Sequence, residues 1–298
     1  MTKAPVASIK HRLAPSHTFP APILDALVAY VSLLYPPAGA PYRPVPANKI
    51  ILAGNSSGTN LCFGLTKVLL ELQKLPRSDA SIDFHRRRVT LPLPAGIATV
   101  GGWCDQCDAL PSWHRNGEYD CLGVLQPPCM PGFPTDSVWP ANPPREHPYC
   151  VAATLDHELV TPAAVGDWTG APPMLLLCGC EEAGVDGNRV VASQAAKSGV
   201  SVLWNEYEGM PHEFPLIMSS LPQAKHAFEL WARTCKDFAE SKPVRSSAVR
   251  WLMPDCGKED LGDPRNLSPL PFTEVRRRMR EYNATRSVWT GKLGQPRL

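Results

Sequence analysis

The sequence predicts an α/β protein with a mostly parallel sheet and helices on both of its faces. Short apolar runs alternate with amphipathic helical patterns from residue 6 to residue 240. The runs at 49–53 and 174–178 are almost wholly apolar, which is typical of strands buried on both faces. Hydrophobic residues make up 44% of the 298 residues and charged residues 19%, as in a globular protein, while 33 prolines argue against a helical bundle.

The first half of the chain supplies the start of this alternation. Residues 6–13 are expected to form a strand that ends before Pro15. The segment 23–35 is apolar nearly all round and predicts a buried helix, after which prolines make a loop. A strand at 49–53 is followed by a tight turn and by an amphipathic helix at 60–74.

The middle of the chain is less regular. Residues 76–88 are polar and basic, and their HRRR run is interpreted as a solvated loop rather than as a phosphate-binding patch. A strand is expected within 91–100. From about 101 to 161 the chain has little periodicity and many Trp, Pro and Cys residues, so we predict an irregular cap insertion over one end of the sheet.

Regular alternation returns after the insertion. The expected elements are a strand at 174–178, a helix at 188–197, a strand at 200–207 and a long amphipathic helix at 223–240. The main domain is therefore predicted to cover residues 1–240, with the insertion inside it.

Residues 241–298 are predicted to be a basic C-terminal extension. Residues 243–298 contain 11 Lys and Arg against 6 Asp and Glu, although the whole chain has a net charge of only +2. Thr273 is expected to cap a short helix that carries Arg276, Arg277, Arg278 and Arg280. We interpret it as a solvated helix packed on the domain; salt-sensitive binding through these arginines is the alternative.

Composition bounds the location and the partners. The small net charge gives no general case for nucleic-acid or membrane binding, and no apolar run reaches the ~18 residues of a spanning helix. The first 17 residues lack the apolar core of a signal peptide, so a cytoplasmic protein is expected. The C-terminal Pro296-Arg297-Leu298 resembles a peroxisomal signal loosely, which leaves that compartment open.

The ten cysteines are expected to be free and mostly buried thiols. Cys104 and Cys107 form a C-x-x-C pair, for which a redox role is an alternative. Together with Cys121 and Cys129 they could bind zinc, but these spacings match no common zinc module. Neither a metal nor an organic cofactor is therefore expected.

The most informative motif is GNSSG at residues 54–58, which fits G-x-S-x-G. It follows a predicted buried strand and precedes a predicted helix, which is the context that a nucleophile elbow requires. In such an elbow a strained turn holds a serine oxygen, here that of Ser56, out of the sheet end, and the helix N-terminus favours developing negative charge.

A serine nucleophile needs a base and an acid that orients the base. Of the eight histidines, only His212 lies just after a late strand and before the final helix, so it is the expected base. Glu181, Glu182 and Asp186 follow the strand at 174–178, and spacing alone does not decide which of them is the acid.

At this point the chain resembles an α/β-hydrolase of the hormone-sensitive-lipase type, in particular its fungal members. The matching segments run in family order over residues 6–240: RLAP at 12–15, GNSSGTNL at 54–61, LPAG at 93–96, MLLLCG at 174–179 and YEGMPH at 207–212. The resemblance implies that the protein hydrolyses a carboxylic ester or thioester of a small molecule and needs no cofactor. It is compatible with a homodimer.

The resemblance also assigns residues. It implies Glu182 as the acid and Asp186 as a second family position, with Glu181 as a one-residue alternative for the acid, and it leaves the Ser57 amide as an oxyanion donor. The family's His-Gly-Gly segment has no counterpart before Arg12, so an N-terminally shortened sheet with an exposed edge is expected. Loss of an oxyanion donor costs about 3 kcal/mol. A catalytically impaired binding protein of the same fold is therefore the alternative function.

Overall fold

In a computed structural model, which describes residues 4–76, 80–124, 142 and 145–286, the core is a six-stranded sheet. In chain order its strands are β1 (Ile51–Ser56), β4 (Gly96–Gly102), β5 (Met174–Gly179), β6 (Val202–Tyr207), β7 (Ser247–Leu252) and β8 (Gly257–Gly262). They lie side by side in that same order. The first five are parallel and β8 is antiparallel to β7, which confirms the predicted fold class.

Helices cover both faces of the sheet. They are α1 (Ala21–Leu34), α2 (Ser57–Lys74), α3 (Pro111–Arg115), α4 (Val185–Lys197), α5 (Phe214–Ile217), α6 (Pro222–Ala239) and α7 (Phe272–Ala284). Alternate residues of β5 explain the two layers: Leu176 belongs to the core cluster that holds α2, α4 and α7, whereas Leu175 belongs to the cluster that holds α5 and α6. Every residue of β4 and β5 is buried, as their apolar sequences require.

Residues 6–13 do not form the predicted strand. They run as irregular chain, and Val6 is 87% exposed. A strand needs a neighbour for its backbone groups, and this segment is instead attached through Arg12, whose guanidinium and backbone N–H both donate to the Asp25 carboxylate on α1. The mixture of apolar and basic residues in this segment was therefore not enough to predict a strand.

The predicted loop at 76–88 contains part of a β-hairpin, with β2 (Ser81–Phe84) antiparallel to β3 (Arg87–Thr90). His85 and Arg86 form its two-residue turn, each with positive φ. Because neither turn residue is glycine, the sequence does not indicate a turn with positive φ at these positions. The basic run is exposed at the turn and at the start of β3, in agreement with a solvated surface.

The sheet continues past the boundary predicted at residue 240, because β7 and β8 belong to the region expected to be an extension. β7 is tied to β6 by the buried Glu206, which pairs with Arg250 at 2.7 Å. Thr273 does not cap α7, which begins at Phe272 without a side-chain cap. The helix packs on the domain through the buried Val275 and Met279.

Three of the four arginines of α7 form ion pairs with other described residues. Arg276 contacts Asp156 at 3.3 Å, while Arg277 and Arg278 pair with Glu274. These pairs reduce the positive charge that α7 presents to solvent, since each of these three arginines contacts a carboxylate.

Within the described ranges, no helix is long and apolar enough to cross a bilayer. Cys104 and Cys107 are free and buried, and burial raises the pKa of both thiols. Cys129 and the segment Pro296–Leu298 lie outside the described residues.

Gly96 and Gly257 offer a matched test of core packing, because each is the first residue of a strand. A Cβ on Gly96 would overlap the ring of Phe238, whereas a Cβ on Gly257 would meet nothing closer than 3.9 Å. We expect Gly96→Ala to lower the free energy of unfolding by about 1–3 kcal/mol, and Gly257→Ala to change it much less. Urea denaturation of both variants measures the difference; equal losses would contradict the packing described for Gly96.

Candidate active site

The turn between β1 and α2 has the geometry of a nucleophile elbow. Ser56 is the last residue of β1, and its backbone lies at φ 50° and ψ −122°, a strained conformation for a non-glycine residue. Gly54 allows the sharp turn, because a Cβ at this position would lie 2.5 Å from the Gly58 carbonyl oxygen. The predicted context of strand, turn and helix is therefore present around Ser56.

Three of the predicted side chains form one hydrogen-bonded chain. His212 Nε2 lies 3.0 Å from Ser56 Oγ, and His212 Nδ1 lies 3.3 Å from Glu182 Oε2. His212 is only 3% exposed and Glu182 is fully buried, whereas Ser56 is partly exposed. The three residues lie at the carboxyl ends of β1, β5 and β6, which meet at one edge of the parallel sheet.

The three candidate carboxylates are placed differently. Glu182 contacts His212, and its other oxygen accepts a hydrogen bond from the Gly179 N–H at 2.6 Å. Asp186 instead accepts from the Ser112 N–H at 2.9 Å and pairs with Arg189 at 3.1 Å. Glu181 meets the base loop through its backbone N–H, which donates to the Met210 carbonyl at 3.1 Å. Only Glu182 of the three contacts the imidazole among the described hydrogen bonds.

Burial and charge act in opposite directions on the histidine. Burial lowers the pKa of His212, but the hydrogen bond and charge of Glu182, assisted by the charges of Asp120 and Glu213, outweigh it and leave that pKa above its usual value. Burial raises the pKa of Glu182, and the hydrogen bond from His212 works against that rise. The pair is therefore arranged to stabilise a positive charge on the imidazole.

Two backbone features lie next to Ser56. Ser57 is the first residue of α2, so its N–H has no carbonyl partner within the helix and lies at the positive end of the helix dipole. The sequence Gly101-Gly102-Trp103 lies beside the elbow: Gly102 is paired with Ser56 in the sheet, and the Trp103 N–H donates to the Ser56 carbonyl at 3.1 Å. A Cβ on Gly101 would meet His212 Nδ1 at 3.1 Å, on the side of the ring away from Ser56 Oγ. Gly101 therefore packs against the imidazole, while Gly102 packs against Asn188 and Thr59.

Sequence reasoning missed two contacts at the site. Asn55 Nδ2 donates to Glu213 Oε1 at 2.5 Å, which joins the residues next to Ser56 and His212. Glu213 has a positive φ of 55°, and nothing in the sequence signals this conformation. The second contact is made by Asp120, which accepts a hydrogen bond from the His212 N–H at 3.1 Å.

His, Cys, Asp and Glu side chains are the usual metal ligands in proteins. The described part of the chain contains no group of three or more that could hold a metal ion.

A family profile described as alpha/beta hydrolase fold matches residues 1–216. Among curated proteins, an acetyl-hydrolase from Streptomyces hygroscopicus is 27% identical over 228 residues, which cover 76% of this chain and 63% of the relative. An esterase from Acinetobacter venetianus is 24% identical over 228 residues, covering 76% of this chain and 62% of that protein. The chain thus spans less than two thirds of the length of either relative.

Solved structures share the fold. An esterase/lipase from an uncultured bacterium superposes with a TM-score of 0.58 at 21% identity, covering 77% of this chain and 64% of the other. A hormone-sensitive lipase from a metagenome library gives a TM-score of 0.55 at 24% identity, covering 76% and 64%. At this level of identity the likeness supports the architecture described above.

The geometry predicts that Ser56 is more nucleophilic than the exposed Ser57 beside it. A fluorophosphonate should modify the full chain once, at Ser56, and His212→Ala should slow the modification by about 100-fold or more because the base is lost. Intact-protein and peptide mass spectrometry measure the rate and the position. Ser57→Ala, which keeps the backbone N–H, is the matched control and should still react; equal labelling of Ser56→Ala would contradict the prediction.

Proposed function

The chain belongs to the alpha/beta hydrolase fold family, and from that premise we propose that it is a serine hydrolase that cleaves a carboxylic ester. The observation that carries the proposal is the hydrogen-bonded chain from Ser56 Oγ through His212 to Glu182. The named activities of the two curated relatives, an acetyl-hydrolase and an esterase, support the same reaction class.

In the proposed acylation step, Ser56 Oγ attacks the acyl carbon while His212 Nε2 accepts the serine proton. The proton passes on to the oxygen of the leaving alcohol as the carbon–oxygen bond of the ester breaks. Glu182 holds Nδ1–H toward itself, so that Nε2 is the free acceptor, and stabilises the imidazolium while it exists. The product is an acyl-serine and a free alcohol.

In the proposed deacylation step, His212 Nε2 removes a proton from water, and the hydroxide attacks the acyl carbon. The bond to Ser56 Oγ then breaks, and the serine oxygen takes the proton back from the imidazolium. The Ser57 N–H and the N-terminal end of α2 are placed to stabilise the negative oxygen in both steps. No metal or organic cofactor is required for this sequence.

The proposed substrate is a small or lipid-like ester, with a thioester as the less favoured form. The resemblance to fungal hydrolases favours an ester from secondary metabolism. A non-catalytic protein of the same fold that binds such a molecule is the competing outcome, and the assays below separate the two.

Hydrolysis of p-nitrophenyl acetate and p-nitrophenyl butyrate tests the activity directly. We expect a burst of p-nitrophenol followed by steady turnover, because p-nitrophenol is a good leaving group that is released on acylation, ahead of a slower deacylation. Ser56→Ala should show neither phase, and Ser57→Ala should keep both. Turnover that is equal in the Ser56→Ala variant, or a folded wild-type chain that binds the esters without cleaving them, would overturn the proposal.

Glu181 and Glu182 provide a matched test of the acid. Glu182→Gln should lower kcat by roughly 10³–10⁴-fold because the carboxylate that orients and charges His212 is lost. Glu181→Gln should lower kcat by less than about 10-fold, since its side chain does not contact the imidazole. Steady-state kinetics of both variants give the comparison; the opposite ranking would assign the acid to Glu181.

A further inference from the structure

The irregular segment after β4 lies across the loop that carries Glu182. Three of its side chains, four residues apart, hydrogen-bond to that loop. Ser112 Oγ donates to the Ala183 carbonyl at 2.7 Å, and Asn116 Nδ2 donates to the Glu182 carbonyl at 2.9 Å. The segment thereby satisfies buried backbone groups that the sheet cannot reach.

Asp120 is the third of these side chains, and it contacts two loops at once. Its Oδ2 accepts from the Ala183 N–H at 2.5 Å, next to Glu182 in the chain. Its Oδ1 accepts from the N–H of His212 at 3.1 Å. Asp120 is only 3% exposed, so these bonds face little competition from water. One carboxylate therefore joins the backbone beside Glu182 to the backbone of His212.

We infer that Asp120 is a positioning residue that holds the loops of Glu182 and His212 at the spacing required for proton transfer. The inference rests on the proposed function for its catalytic meaning, but the contacts themselves do not depend on it. Asp120 touches neither Ser56 nor the imidazole ring through a described hydrogen bond, so it acts through the other residues.

A carboxylate fits this position better than its amide analogue. The two site loops each present an N–H donor to Asp120, and an ionised carboxylate offers an acceptor oxygen to each; the Leu122 N–H also donates to Oδ1, at 3.4 Å. Asparagine has only one acceptor oxygen, so its NH₂ group would face one of the two donors. One loop would then move away, and a displacement near 1 Å is enough to cost about 100-fold in rate.

The charge of Asp120 has a second effect on His212. Three carboxylates face the imidazole: Glu182 from the loop after β5, Asp120 from the segment after β4, and Glu213 from the histidine's own loop. Ser56 and the Cys121 thiol, whose pKa burial raises, complete the surroundings without adding a charge. Removal of the Asp120 charge should therefore lower the pKa of His212.

The kinetic test compares Asp120→Asn with Asp120→Glu in the full chain, using p-nitrophenyl butyrate. Asp120→Asn should lower kcat about 10- to 100-fold with little change in KM, and should shift the acid limb of kcat/KM to lower pH by up to about one unit. Asp120→Glu keeps the charge but alters the spacing, so kcat should fall while the acid limb stays in place. If Asp120→Asn does not fold, an unchanged kcat in Asp120→Glu still overturns the inference.

Asp105→Asn is the matched control for general loss of stability. Asp105 is also a buried carboxylate of the same irregular segment and accepts hydrogen bonds from three backbone N–H groups, those of Cys107, Ala109 and Leu110. None of its described hydrogen bonds reaches the loops of Glu182 or His212. Its variant should lower the melting temperature without moving the acid limb; a shift equal to that of Asp120→Asn would overturn the inference.

A second measurement does not require turnover. NMR titration of the His212 ring in the full chain, assigned by its loss in His212→Ala, gives the pKa of the imidazole in wild type and in Asp120→Asn. A lower pKa in the variant supports the inference even if the wild type cleaves no ester, in which case the proposed function alone fails. An unchanged pKa together with unchanged kcat, in an active wild type, overturns the inference alone.

Discussion

The site depends on one close backbone contact, between Gly179 at the end of β5 and Met210 in the loop after β6. A Cβ on Gly179 would overlap the Met210 carbonyl oxygen, so only glycine permits the two loops to cross at this distance. The contact is reinforced by the hydrogen bond from the Glu181 N–H to the same carbonyl. Glu182 and His212 follow these points by three and two residues, so a fixed crossing sets the 3.3 Å between their side chains. The parallel sheet supplies the third member, since β1 delivers Ser56 at the same edge.

The ion pairs near this contact explain why only one of the nearby carboxylates, that of Glu182, hydrogen-bonds to the imidazole among the described residues. Asp186 pairs with Arg189, and Arg189 in turn pairs with the buried Glu206 at 2.9 Å. The arginine side chains behind the sheet edge are thus matched by acids of their own, in a network that joins α4 to β6. Glu182 is left to the imidazole and to the Gly179 N–H. An arginine paired with Glu182 would stabilise the charge of that carboxylate by itself. The carboxylate would then stabilise a protonated His212 less strongly.

Four strands of the main sheet (β1, β4, β5 and β6) and the long helices were predictable because they are apolar runs or amphipathic segments, whereas the contacts that support the site were not predictable. The apolar run ending at Cys178 predicts a strand of the sheet, and the strand-turn-helix context of Ser56 predicts the nucleophile elbow; both are present in the structure. The sequence left three acids open, because the choice is made by the crossing at Gly179, a contact between segments distant in the chain. The hairpin at 81–90 was missed since its turn uses non-glycine residues. β7 and β8 were missed since Arg250 interrupts the apolar residues of β7 and three consecutive charged residues, Lys258 to Asp260, occupy β8. These are tertiary effects that no local pattern encodes.

The irregular segment after β4 shows how a stretch without periodicity can still determine geometry. Loops that leave the carboxyl end of a parallel sheet lose the ladder, so their buried N–H and C=O groups need side-chain partners. Asn116 donates to two carbonyls of the acid loop, those of Cys180 and Glu182, and Asp120 accepts from two amides. The two side chains are complementary, one supplying donors and the other acceptors. The geometry of the site therefore depends on a few polar side chains, four residues apart, rather than on the helix or strand propensity of this segment. This is the physical reason why the support for the site lies in the part of the sequence that periodicity describes least well.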